Sequence, residues 1–221
     1  MSYYFYLAIS LSIIFIGFAY YYFQIRKKKD IPIQTFYDDS LFPKLEILKK
    51  NFKEIQKECL DVYHSCKVTN KIKRAREEWN GSLDKIQEFI SKNKNKYWIP
   101  AWTDDWSNYA LMIKDEIVPG ITSKICPKTT EILNSIGGIN VAGFSLVNKN
   151  CKISPHTDAT GPSYGSLSYH LCLLGESLLL VNNTPVLQEP GKTIIFNPEY
   201  EHSLYNHTDK DRIILYIDFM V

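Results

Sequence analysis

INVAGFSLVNKNCKISPHTD, residues 139–158, opens a series of eight short apolar runs that continues to the end of the chain. The runs are INVAGFSLV, CKISPH, SLSYHLCLL, ESLLLVN, TPVLQE, KTIIFN, HSLYN and RIILYIDFMV, with Gly, Pro, Asn and Asp concentrated between them. Short segments rich in β-branched and aromatic residues, each closed by turn formers, predict the strands of a sandwich or barrel. Eight of them fit a double-sheet jelly roll, so residues 137–221 are read as a jelly-roll core.

Chemistry gathers on the same stretch. Side chains at i and i+2 of a strand share a face, so His156 and Asp158 can converge on one point. His202, on a later run, can join them. Two imidazoles and one carboxylate on one face of a metal leave three positions open, which is the donor set of non-haem Fe(II) oxygenases. Arg212 follows His202 by ten residues. A lone His at a strand end is more often structural than a ligand; the combination of His, Asp, a second His and an Arg in an eight-strand chain argues the other way. His64 and His207 lack such support and read as surface residues, and Asp211 and Asp218 read as loop and strand-end charges.

Upstream of this core the period changes. LFPKLEILKKNFKEIQKECLDVYHSC, residues 41–66, spaces Leu45, Leu48, Phe52, Ile55 and Cys59 at helical steps of three and four. NGSLDKIQEFISKN, residues 80–93, repeats the pattern with a cap near Ser82, and residues 121–136 add a helix with Pro127 in its first turn. The charged KIKRAREEW at 71–79 reads as a solvated helix face or loop. Between these lies KYWIPAWTDDWSNYALM, with Trp98, Trp102 and Trp106. Tryptophan this dense packs an element onto a sheet or lines a cleft, and packing is the simpler reading. Residues 39–136 are therefore expected to be a helical part preceding the jelly roll, within one domain spanning 39–221.

The N-terminal run Tyr3–Phe23 carries no formal charge over 21 residues, with tyrosines at both ends. That length spans ~30 Å of hydrocarbon as a helix, and the missing basic leader argues against a cleaved signal peptide. We read 1–25 as a transmembrane anchor and 26–38 as a linker. Arg26, Lys27, Lys28 and Lys29 follow the run directly and place the remainder on the cytosolic side of a single-pass protein. Three N-x-[ST] sequons, at Asn80, Asn182 and Asn206, would matter only for a lumenal domain. The formal charge of +2, from 26 basic and 24 acidic residues, gives no basis for a nucleic-acid partner. Five cysteines without CxxC spacing support neither a zinc site nor a disulfide framework.

The order HTD…YHLCLL…EPGKTIIFNPEYEHSLYN…RIILYIDF resembles the aspartyl/asparaginyl β-hydroxylase family. The resemblance implies an Fe(II)- and 2-oxoglutarate-dependent dioxygenase on a double-stranded β-helix. It implies metal binding by His156 and His202, and Arg212 with Ser145 for the far carboxylate of 2-oxoglutarate. By the same resemblance, His170 is a further co-substrate contact. The chain departs from the pattern at three places. Asp158 stands where the animal members carry glycine, which would complete the triad of His156, Asp158 and His202. Ser168 stands where an arginine is usual, and the loop between His156 and His170 is longer. The expected activity is hydroxylation of a C–H bond by a membrane-anchored enzyme. A peptide or protein with Asp or Asn is the substrate the animal members suggest, and a lipid acyl chain is the one that similar bacterial enzymes suggest. The competing reading is a cupin-like ligand- or protein-binding module with a degenerate metal site, which Ser168 would favour.

Overall fold

All eight runs form strands. A computed structural model describes residues 32–68, 97–101, 103, 105–118 and 122–221, with 88 and 92 as isolated positions. The eight strands are β6 (Ile139–Val147), β7 (Lys152–His156), β8 (Ser166–Leu174) and β9 (Ser177–Val181), then β10 (Thr184–Gln188), β11 (Thr193–Phe196), β12 (His202–Tyr205) and β13 (Arg212–Met220). They divide between two antiparallel sheets. One carries the order β11-β8-β13-β6 and the other β10-β9-β12-β7. Apart from the β9–β10 hairpin, successive strands cross between the sheets, which is the winding of a jelly roll.

The larger sheet is extended beyond that winding. β1 (Phe36–Tyr37) pairs with β11 at one edge. At the other edge β4 (Trp106–Ile113) pairs with β6 and carries β3 (Tyr97–Pro100) and β5 (Glu116–Ile117). A parallel pairing joins β3 to β2 (Lys67–Val68).

These strands correct the reading of 39–136 as helical. In WSNYALMI, Ser107, Tyr109 and Leu111 are buried while the residues between them are half-buried, a period of two. The segment also finds an open sheet edge in β6, and that pairing decides its state. Phe36–Tyr37, assigned to the linker, is likewise edge strand. Helix is found in α1 (Glu46–Lys50), α2 (Phe52–Ser65), α3 (Thr122–Ile125) and α4 (Pro127–Ile136), with Pro127 opening α4 as expected. The Tyr3–Phe23 run, the basic KIKRAREEW, Trp102 and Asn80 lie outside the described residues. Among the described residues no helix is long and apolar enough to cross a membrane.

Packing follows the sequence period. α2 buries Ile55, Cys59 and Val62, and Gln56 donates to the Leu173 carbonyl of β8 at 2.7 Å. The outer face of β8 is therefore covered, and its residues Ser166–Leu173 are all buried. Glu58, buried on α2, accepts from the backbone N–H of Lys128 and Thr129, at 2.8 Å each, and from the Thr129 hydroxyl at 2.6 Å. It thereby satisfies the orphan donors of the first turn of α4. Asn206, buried after β12, donates to the carbonyls of Asn148 and Lys210 and accepts from Thr208. All five cysteines are free, with Cys59, Cys126 and Cys172 buried.

Candidate active site

Between the two sheets lies a cavity of about 810 Å³. Its wall is largely apolar, and His156, Asp158 and His202 reach it together. His156 ends β7 and faces His202 in register on β12, so adjacent strands deliver the two imidazoles with ring centres 4.3 Å apart. The i, i+2 spacing predicts Asp158 on the same strand. The strand instead stops at His156, and Asp158 sits in the following loop, held by its N–H on the Pro198 carbonyl at 3.0 Å. One ligand-type atom from each of the three residues falls within 4.8 Å of the others.

The orientation of the two imidazoles follows from their hydrogen bonds. His156 Nδ1 lies 2.8 Å from the Ser154 carbonyl and His202 Nδ1 lies 2.9 Å from the Tyr200 carbonyl. A carbonyl only accepts, so each Nδ1 carries a proton and Nε2 is the nitrogen each ring turns to Asp158. Those Nε2 atoms stand 3.8 and 3.7 Å from the two oxygens of Asp158. Burial, opposed by Asp158 and the Tyr200 carbonyl, holds the His202 pKa below the usual imidazole range, which keeps the ring neutral. Two bonds of about 2.1 Å to a shared cation span gaps up to about 4.2 Å, so the carboxylate–imidazole separations fit one metal ion. Trp106 packs on His156 and Phe196 on His202, fixing both rings.

A second polar cluster lies at the start of β13. Arg212 is 1% exposed, and among the described residues no carboxylate reaches it. Burial lowers its pKa to about 10. Its Nε donates to Gln188 Oε1 at 3.1 Å, and one terminal nitrogen makes a shorter contact with the same oxygen. That oxygen also accepts from Ser177 at 3.0 Å, while Gln188 Nε2 lies 3.0 Å from His170 Nδ1. With the amide nitrogen as donor, His170 Nδ1 must accept, and its Nε2 holds the proton. Burial, with Arg212 and His202 nearby, pushes the His170 pKa well below the usual imidazole range. Ser145 accepts from Trp106 Nε1 at 2.9 Å, leaving its own proton for another acceptor. Ser145, His170 and Arg212 all line the cavity.

Every residue singled out for the site in the sequence is therefore beside this one cavity. His64 and His207 are exposed, as expected. Three participants escape a reading of the sequence. Gln188 sits at the end of an ordinary-looking strand, and only the fold carries it to Arg212. Trp106 reads as packing, a role that Trp98 fills against Tyr109, whereas Trp106 lines the cavity. Asp218, which reads as a strand-end charge, is 2% exposed and lines the cavity. The alternation of β13 explains this, since Arg212, Ile214, Tyr216 and Asp218 fall on one face.

The aspartyl/asparaginyl β-hydroxylase family model matches residues 49–221, a range that contains every residue of both clusters. The chain belongs to the aspartyl/asparaginyl β-hydroxylase family. Over 201 residues this β-hydroxylase family member is 30% identical to an uncharacterized protein of Acanthamoeba polyphaga mimivirus, covering 86% of this chain and 72% of that one. Over 102 residues it is 34% identical to an ornithine lipid ester-linked acyl 2-hydroxylase of Rhizobium tropici, covering 44% of this chain and 35% of that protein. Among solved structures it is similar to a predicted oxalate decarboxylase of Thermotoga maritima, at 14% identity over 52% of this chain and 81% of the other, with a TM-score of 0.37. A cupin domain from Schizosaccharomyces pombe matches at 11% identity over 54% of this chain and 67% of the other, with a TM-score of 0.38. Likenesses this loose add nothing to the strand pairing. Within the β-hydroxylase pattern, Ser168, which stands in place of the usual arginine, is buried beside the Tyr216 phenol.

Proposed function

We propose that this β-hydroxylase family member is a membrane-anchored hydroxylase that depends on Fe(II) and 2-oxoglutarate. His156, Asp158 and His202 are its metal ligands, and Arg212, Ser145 and His170 are its co-substrate contacts. The support is one cavity that holds two unmet electrostatic demands. The two imidazoles and the carboxylate converge on a point suited to a cation, and among the described residues the buried Arg212 guanidinium has no carboxylate partner. A dicarboxylate with one end near the triad and the other on Arg212 answers both. Bound there, Fe(II) with 2-oxoglutarate and dioxygen supplies the oxidising power that inserts oxygen into an unactivated C–H bond, releasing succinate and CO₂.

The protein's own part is positioning. The planar fork of Arg212 grips a carboxylate with directed donors, and the free Ser145 proton offers one more. Gln188 fixes both the rotamer of Arg212 and the tautomer of His170, so that His170 Nε2–H donates into the cavity. Apolar walls exclude water, strengthening each of these contacts. Tyr3–Phe23 is the anchor. Of the substrates that the family's name and the Rhizobium relative's name offer, the apolar wall supports an acyl chain over an acidic side chain.

The test is succinate production by the purified full-length protein with Fe(II), 2-oxoglutarate and air, against a metal-free control. Anaerobic Fe(II) titrations with saturating 2-oxoglutarate accompany it, and Asp158→Ala, His156→Ala and His202→Ala should each bind iron more weakly than the parent. If Asp158→Ala binds iron like the parent, the carboxylate is not a ligand. Absence of succinate above the control would favour the cupin-like binding module, a reading to which Ser168, in place of the pattern's arginine, lends weight.

A further inference from the structure

The turn between β11 and β12, residues 197–201, touches two of the three proposed ligands. Its Tyr200 carbonyl orients the His202 ring, and its Pro198 carbonyl accepts from the Asp158 N–H at 3.0 Å. The turn is itself held in shape by Asn197, which is buried. The Asn197 side-chain oxygen accepts from the Glu199 N–H at 2.9 Å, its carbonyl accepts from the Tyr200 N–H at 3.4 Å, and its own N–H donates to the Thr35 carbonyl at 3.1 Å. An asparagine that bonds the backbone two residues on makes a tight turn, and it fixes the backbone from which Glu199 projects.

Glu199 reaches from this turn to the loop that carries Asp158. Its Oε1 accepts from the Ser163 N–H at 2.7 Å. The loop beyond Asp158 is closed on itself. The Gly161 N–H donates to Ser166 Oγ at 3.1 Å, and the Gly161 carbonyl accepts from the N–H groups of Tyr164 and Ser166 at 2.9 Å each. Gly161, at φ +139°, lies so close to Glu199 that a Cβ there would overlap the Glu199 Cγ. β7 has ended at His156 and β8 begins at Ser166, so residues 157–165 lie between ladders. Bonds at Asp158 and Ser163 tie the two ends of this loop to one turn. The Glu199–Ser163 bond is exposed to water and adds little to global stability. Without it, Asp158 would hang on its own backbone bond in a loop free to shift against His202.

We propose that Glu199 is a positioning residue that latches the Asp158 loop onto the turn before His202, and so keeps the carboxylate within reach of a metal held by the two histidines. As a role in metal binding this rests on the hydroxylase reading above. The latch itself does not. The Ser163 N–H needs only an acceptor, which an amide oxygen supplies as a carboxylate does, so Gln can stand in for Glu199 and Ala cannot. Partners that orient a metal ligand in this way are worth about 10- to 100-fold in metal affinity.

The experiment titrates Fe(II) anaerobically, with saturating 2-oxoglutarate, into the full-length parent, Glu199→Ala, Glu199→Gln, Asp158→Ala and the Asp158→Ala/Glu199→Ala double variant. Glu199→Ala should bind iron about ten-fold or more weakly than the parent, and Glu199→Gln within about three-fold of it. In the Asp158→Ala background, Glu199→Ala should cost nothing further, because its whole effect passes through that carboxylate. A residue that merely supports the fold would weaken both backgrounds alike. With Asp158→Ala weakened, parental affinity in Glu199→Ala overturns the proposal. So does an equal loss in the two backgrounds, or a Glu199→Gln protein as weak as the alanine variant. Amide hydrogen exchange of the metal-free proteins reads the latch directly. Residues 157–165 should exchange faster in Glu199→Ala while β8 and β13 keep parental protection, and parental exchange across 157–165 overturns the latch. If Asp158→Ala itself binds iron like the parent, the ligand reading fails, and the exchange measurement still decides what Glu199 does.

Discussion

Gln188 shows how much one neutral side chain can decide. Its single amide serves a buried guanidinium, a serine hydroxyl and an imidazole at once, and each contact fixes a different property of the site. Gln188→Glu replaces a dipole by a charge of almost the same shape. The new carboxylate would pair with Arg212 and compete with the co-substrate for it. The variant should keep or exceed the parent's thermal midpoint while its 2-oxoglutarate affinity falls roughly 10- to 150-fold, the worth of one charge-assisted contact. Anaerobic calorimetry checks this, and parental affinity in the variant would remove Gln188 from the argument. Gln188→Leu should instead lower stability, because Arg212 loses its acceptor. None of this is legible in TPVLQE, where Gln188 reads as an unremarkable strand end. His156, His202 and Arg212 are legible, because the spacing of a cation site and a distant arginine survives as order along the chain. Asp218 is hidden for a related reason: burial near a strand's end depends on which sheet edge covers it.

Among the elements, the contrast lies between strands that carry their own signal and strands made by a neighbour. β6 to β13 announce themselves by short apolar runs and turn formers, so the jelly roll can be read directly. β4 falls into an expected helical part because its eight aromatic and apolar residues are compatible with either state, and the edge of β6 settles the matter. The helices divide likewise. α2 shows its buried stripe in the sequence, but the clamp that Glu58 places on the first turn of α4 depends on two segments 70 residues apart. Glu58→Ala should destabilise the protein by about 2–3 kcal/mol, combining a lost cap with newly unpaired backbone donors. Denaturant unfolding measures the loss. Since the clamp lies outside the cavity lining, Fe(II) affinity should stay at the parental value, and a parallel fall in both would mean that α4 supports the site after all.

For the molecule as a whole, the N-terminal run and the sequons bear on where the domain works. Full-length protein should sediment with membranes and need detergent, whereas a chain beginning at Ile31 should remain in the supernatant. Recovery of the full-length protein in the supernatant without detergent would rule out the anchor. The sequons are unequal reporters. Asn206 and Thr208 are already engaged with one another and with the backbone inside the fold, whereas Asn182 sits exposed in the turn after β9. Mass spectrometry of Asn182 therefore reads the compartment, and no glycan is expected there if the basic run sets the topology. The cavity has a consequence of another kind. A volume of about 810 Å³ between the sheets stands where a sandwich keeps its central packing, so whatever fills it also completes the interior. Occupancy and folding are then linked by mass action, and a ligand at 100 times its dissociation constant adds about 2.7 kcal/mol to stability. The melting temperature becomes an assay that works before any product has been identified. Compounds that raise it beyond the increment given by Fe(II) and 2-oxoglutarate are the ones that belong in the remaining space, and a starved cell would hold this protein in its most protease-sensitive form.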